Sequence, residues 1–264
     1  MRNRVGTRWT LAALALATIP AAARAECPHP YMPLRTGATW VYLMSWTGST
    51  PGPVKRILTT RVTSVEVKGD GQVVRMTNTE SVSTGKGDDR IVGRSEQVFK
   101  CTPDGIVAAL EPGVVKRCPG NASTCAEGTQ VPSDTEILSN EGVLLPPSVA
   151  LNPGQSWRQR LSYRVNPPSS ALGSPASGLV GSRESTETVA TNERITTPAG
   201  AMDTVKVTSE ETVVVPHLAQ ATPPGGSQPG RTRKSSSWYA RGVGLVRFAD
   251  DAHTTELLSY TPGF

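Results

Sequence analysis

The feature that most constrains this chain is a two-residue alternation of apolar and polar side chains, a period that suits a half-buried β-strand and not a helix. Residues 61–68 read RVTSVEVK, with Val65 and Val67 on one face and charged residues between them. Residues 73–83 continue in kind, and the intervening Lys68-Gly69-Asp70-Gly71 is a hairpin signal. Further runs rich in Val, Thr and Ile fall at 90–100, 156–165, 184–197, 204–215, 235–240, 244–249 and 254–260. Helical periodicity is nearly absent, with at most one short helix expected near 133–140. The expected fold is therefore mainly β: a twisted antiparallel sheet or half-barrel with little helix. Residues 166–182 and 219–230, rich in Pro, Gly and Ser or Thr, read as loops.

The N-terminus follows a different rule. Arg2, Arg4 and Arg8 precede an apolar stretch at 11–19, Pro20 breaks it, and Ala23-Arg24-Ala25 supplies a small-x-small end. These are the three parts of a secretory signal, predicted at 1–25. The apolar run is shorter than the roughly 20 residues a membrane-spanning helix needs, and no later run is long enough, so no transmembrane segment is expected. Residues 26–264 are read as a single exported β-rich domain, periplasmic or extracellular. Of the 27 basic residues, four (Arg2, Arg4, Arg8 and Arg24) lie in the signal, leaving 23 against 22 acidic ones. That balance argues against a nucleic-acid partner, which calls for a basic surplus. The small cluster Arg231-Thr232-Arg233-Lys234 reads as a solvated rim.

The cysteines are Cys27, Cys101, Cys118 and Cys125. An even count in an exported chain argues for disulfides, and four cysteines allow three pairings that the sequence does not distinguish. The reading adopted pairs Cys118 with Cys125 and Cys27 with Cys101. The spacing of Cys118 and Cys125 is wider than a zinc knuckle uses, so no metal is expected. Glu26 and Arg24 stand where a lipoprotein signal needs small and aliphatic residues, so no lipid anchor is expected on Cys27.

The motif L-x-x-G-x-x-W occurs twice, as Leu34, Gly37 and Trp40 and as Leu151, Gly154 and Trp157. Each copy precedes a strand-like run, and the pair suggests two similar halves, 33–147 and 148–264. Glycine there would form a turn that other residues resist, and the tryptophan would plug the core. Trp238 is expected inside as well.

Signatures of chemistry are missing. His29, His217 and His253 are not at metal-ligand spacing, and each reads as a lone surface or edge residue. No G-x-S-x-G occurs; Gly48-Ser49-Thr50-Pro51-Gly52 reads as a loop. Gly242-Val243-Gly244 begins like a dinucleotide fingerprint, but strand-like sequence follows it, so it reads as a tight turn. Asp88-Asp89 and Asp250-Asp251 are adjacent pairs, which a strand points to opposite faces. No catalytic residue and no cofactor are implied.

Three short motifs nevertheless resemble a known group. They are Pro33-Leu34-x-x-Gly37-x-x-Trp40-x-Tyr42, Thr197-Pro198-Ala199-Gly200, and Trp238-Tyr239-Ala240-x-Gly242-Val243-Gly244-Leu245-Val246. Together they resemble a broad group of bacterial envelope β-rich proteins, many of them lipoproteins, distantly similar to the lipoprotein-carrier superfamily. Members of that superfamily form a curved antiparallel half-barrel around an apolar cavity, often closed by helices. This chain departs from the pattern in its lipobox, its extra cysteines and its lack of lid helices. The resemblance implies non-catalytic binding of an apolar or lipid-like small molecule in a concave sheet. The alternatives are a structural or interaction module with an envelope protein partner, and a hydrolase with dispersed residues.

Overall fold

The computed structural model describes residues 27, 29–46, 55–69, 71–83, 90–109, 116–117, 135–165, 179–214 and 231–264. The expected signal at 1–25, the Cys118–Cys125 pair, His217, Asp88-Asp89, the loop at 219–230 and most of that at 166–182 lie outside the described residues. The strands are β1 Thr39–Trp46, β2 Lys55–Lys68, β3 Gly71–Ser83, β4 Arg90–Thr102, β5 Gly105–Ala109, β6 Lys116–Arg117 and β7 Thr135–Gly142. They continue with β8 Ser156–Val165, β9 Leu179–Thr197, β10 Gly200–Val214, β11 Arg231–Ala240, β12 Gly244–Asp250 and β13 His253–Thr261. The stretch expected to contain a helix, near 133–140, is strand β7, paired along β8. Its own sequence, TEILSNEG, is compatible with either state, and the partner strand decides. A short 3-10 turn at Ser148–Ala150 is the one helical element among the described residues.

All strands pair antiparallel, in the order β5-β4-β3-β2-β1-β13-β12-β11-β10-β9-β8-β7, with β6 against β4. The two end strands then meet. Ile106 of β5 bridges Leu145, just beyond β7, with Ile106 N–H donating to Leu145 O at 2.8 Å and Leu144 N–H to Ile106 O at 2.7 Å. The sheet thus curls past a half-barrel into a nearly closed barrel. Curling buries one face and removes most of the free edge, which is the general liability of an open sheet.

The order contains a repeat. The first six places, β5-β4-β3-β2-β1-β13, have the same form as the next six, β12-β11-β10-β9-β8-β7. Each half is a five-strand meander, β1 to β5 or β8 to β12, followed by a further strand, β7 or β13, that lies beside the first strand of the other half. The two sequence motifs sit at matching corners. Gly37 N–H donates to Val62 O and Val62 N–H returns to Ala38 O, both at 2.9 Å. Gly154 N–H donates to Val189 O and Val189 N–H returns to Gln155 O, both at 2.8 Å. The glycines have φ of +85° and +87°, the left-handed region where a Cβ is costly.

The interior is packed by Leu34, Val62, Val74, Ile106, Leu145, Val189 and Leu257, all essentially inaccessible to solvent. Trp40 joins them, stacked on Tyr260 at 5.3 Å between ring centroids. Trp238 is buried as well and belongs to the core cluster. Lys206 and Arg247 flank its ring at 5.0 and 5.3 Å, and its indole N–H donates to Glu193. Cys27 and Cys101 form a disulfide that ties the N-terminal segment to the end of β4.

Candidate functional site

Within the barrel lies a cavity of about 580 Å³, inside the roughly 300–1,000 Å³ range of small-molecule sites. Its floor is apolar. Leu34, Trp40, Met76, Phe99 and Leu145 line it and are nearly fully buried, with Met32 and Leu144 completing it from the segments before β1 and after β7. The alternation of each strand explains this wall: Leu58 and Thr60 on β2 and Met76 and Asn78 on β3 are two apart and share the inner face. Tyr42 closes the floor against β12, its hydroxyl donating to Leu245 O at 3.0 Å. Burial raises the Tyr42 hydroxyl well above its ordinary pKa, so it stays neutral.

Above the floor the lining becomes polar. Thr60, Asn78, Gln97, Asn140, Gln159 and Ser185 face the cavity from both halves. Thr60 Oγ1 donates to Asn78 Oδ1 at 2.7 Å. Arg183 reaches the cavity while paired to Glu211 at 2.5 Å. Four residues along β9, Glu187 accepts from Ser209 Oγ at 2.8 Å, and burial raises its pKa against the opposing pull of Ser209, Ser185 and Arg183. Tyr239 is pushed up to about 12, chiefly by burial. On this wall Arg183 is therefore paired and Glu187 disfavoured as a charge, as low-polarity surroundings require.

The cavity reaches the seam between β5 and β7. Ala108 of β5 and Asn140 of β7 both line it, and Asn140 Nδ2 donates to Ala108 O at 2.6 Å. Beyond the Ile106–Leu145 bridge, this side-chain bond joins the two strands. The four consecutive residues Glu96 to Phe99 of β4 also line the cavity, so both faces of that strand border the opening. His29 lies against the base of the seam. It is buried, with Nε2 2.8 Å from Pro146 O and Nδ1 accepting from Tyr31 N–H at 3.2 Å. It is thus not the surface residue its proline-flanked sequence suggested: the disulfide brings its segment onto the barrel. Burial lowers its pKa, which suits a neutral imidazole with one N–H donor and one acceptor.

Of the motif residues expected to matter, Leu34, Trp40, Tyr42 and Gly244 line the cavity. Gly37 and Gly154 form the matching corners, Leu151 is buried below, and Trp157 is half-buried against the core. Gly200 shapes the β9–β10 turn, and Gly242, in the β11–β12 turn, donates to Pro30 O at 2.7 Å. Gly242-Val243-Gly244 is thus a tight turn between strands. Cys101 and Cys27 sit beside the floor. The polar lining carried no motif, since isolated amides and hydroxyls have no characteristic spacing. Strand parity was the available signal: counting back by twos from buried Val189 places Glu187, Ser185 and Arg183 inside. Among the described residues no cluster of His, Cys, Asp and Glu could hold a metal, and no helix is long and apolar enough to cross a membrane.

A nearly closed antiparallel β-barrel with an apolar floor, a polar upper wall and a side seam is the class these coordinates define. A solved structure of similar fold is that of a protein assigned as a lipoprotein, from Parabacteroides distasonis. The likeness has a TM-score of 0.52 at 16% identity and covers 88% of this chain and 99% of that one. A protein assigned as exported, with a YmcC-like fold, from Bacteroides fragilis aligns with a TM-score of 0.49 at 17% identity, over 87% and 98% of the two chains. No protein-family profile and no curated protein sequence matches the chain.

Proposed function

We propose that this is a non-catalytic exported envelope protein that holds an apolar or lipid-like ligand inside the barrel. The observation that carries the reading is the cavity of about 580 Å³, floored by aliphatic and aromatic side chains and bordered by a seam. Apolar surface of that kind gains by covering at about 25 cal/mol per Å² removed from water. The arginine-led, Ala-x-Ala-ended segment at 1–25 and the Cys27–Cys101 bridge support an oxidising compartment outside the cytoplasm. Because the Cys27 sulfur is committed to that bridge, we assign the protein no lipid anchor; intact-mass measurement of the exported protein then gives the polypeptide mass from Glu26 less the disulfide hydrogens. The test of function is solvent extraction of the purified protein with lipid mass spectrometry, together with titration by a fluorescent apolar probe. The expected outcome is a co-purifying amphiphile, or saturable probe uptake near one per chain. An empty extract combined with no saturable uptake would overturn the reading.

A further inference from the structure

The chemistry of the upper wall restricts the ligand's head. Besides the charged residues Glu96, Arg160 and Arg183, its polar side chains are amides and hydroxyls, among them Thr60, Asn78, Gln97, Asn140, Gln159 and Ser185. Their hydrogen-bonding capacity is only partly used. Thr60 occupies Asn78 Oδ1 and leaves that amide's N–H₂ group, Asn140 uses an N–H on Ala108 and leaves its oxygen, and the Gln97 and Gln159 amides have no partner among the described residues. The charges nearby are compensated or directed away. Arg183 is held by Glu211 at 2.5 Å. Arg160 lies on the opposite face of β8, between its register partners Glu141 and Glu184. Glu96 alternates away from Gln97 on β4. On the face that carries the amides, an anionic head meets only Arg183, already paired with Glu211, and a cationic head meets only Glu187, which Ser209 bonds and whose charge burial disfavours. Either would lose its hydration without a charged partner in return. A head bearing hydroxyls or amides finds both donors and acceptors unspent.

We infer that the ligand is an amphiphile with an uncharged, hydroxyl- or amide-bearing head, seated against Asn78, Gln97 and Gln159 with its tail on the Trp40–Phe99 floor. This rests on the ligand-binding reading above and specifies its chemistry. The test uses the purified protein loaded with a fluorescent apolar probe and three displacers of equal chain length: monopalmitoylglycerol, palmitate and hexadecylamine, each below its aggregation threshold. Monopalmitoylglycerol is expected to displace the probe at a concentration lower by about tenfold or more than either charged analogue, the equivalent of one or two hydrogen bonds. The double substitution Gln97→Leu with Gln159→Leu should erase that preference, each displacement being referred to the variant's own probe affinity; Gln97→Leu alone, at an exposed position, should halve the logarithm of the preference if the double variant does not fold. Palmitate or hexadecylamine displacing equally well or better would overturn the inference on the head while leaving ligand binding standing. A preference that survives the substitutions would overturn it too. Failure of the probe to bind at all would bring down the underlying reading instead.

Discussion

The two halves of the barrel use the same corner but close differently. Where β12 meets β13, three residue pairs join the strands, and the first half reaches across to reinforce the junction. Trp40 Nε1–H donates to Val243 O at 2.6 Å, and Tyr42 hydroxyl to Leu245 O. The corresponding junction, β5 with β7, is held by the Ile106–Leu145 bridge, the Asn140 side chain and, at its base, His29 and the disulfide. There the matching tryptophan, Trp157, is half-buried and its buried Nε1–H has no partner among the described residues. One junction is sewn by backbone pairing and a capped indole. The other, among the described residues, is stapled at its foot and carries no further backbone pairing above the Ile106–Leu145 bridge, and the cavity borders it. Equal corners with unequal seams give the barrel one junction closed by backbone pairing and one held by a bridge, a side chain and a staple.

The comparison can be broken at several points. Replacing Cys27 and Cys101 by Ser releases a staple spanning 74 residues, and should lower unfolding free energy by about 2–4 kcal/mol in denaturant titration, with the largest rise in amide exchange at Ile106 and Leu145. If exchange rises equally at β12 and β13, the two seams are not independent. Trp40→Phe strands the Val243 carbonyl and should cost about 1–3 kcal/mol, whereas Trp157→Phe removes an orphan donor and should be close to neutral. Equal costs would mean that Trp157 is capped in solution. Gly37→Ala and Gly154→Ala should each cost about 1–2 kcal/mol for the left-handed backbone. Gly37→Ala should cost more, because its Cβ would lie 2.9 Å from the Phe264 ring while that of Gly154 meets nothing within 4 Å. The smallest effect is that of pH. His29 has a lowered folded pKa, so its neutral form stabilises the fold fully above its ordinary value of 6.5, and that contribution is lost as pH falls below it. Melting temperature should therefore decline on acidification through pH 6, and His29→Gln should flatten that part of the slope. An unchanged slope would remove His29 from the seam's energetics.

Much of this was legible beforehand. The alternation in residues 61–68, 73–83 and 244–249 announced strands because it has only one structural use, and the repeated L-x-x-G-x-x-W marked two corners whose hydrogen bonds are now seen to correspond. Strand lengths were less legible: β2 begins at Lys55, six residues before its clean alternation, because a long partner strand recruits sequence that would not form a strand alone. β7 was misread for the same reason.

By itself, then, the sequence determined the β class and the glycine-bearing corners, both of which depend on neighbours within a few residues. Only the tertiary structure decided that the sheet curls to near closure, that β13 and β7 exchange places between the halves, and that Asn78, Gln97 and Gln159 converge on one cavity. Those are consequences of strand register over long separations, and no local interaction specifies which distant residues a barrel will bring face to face.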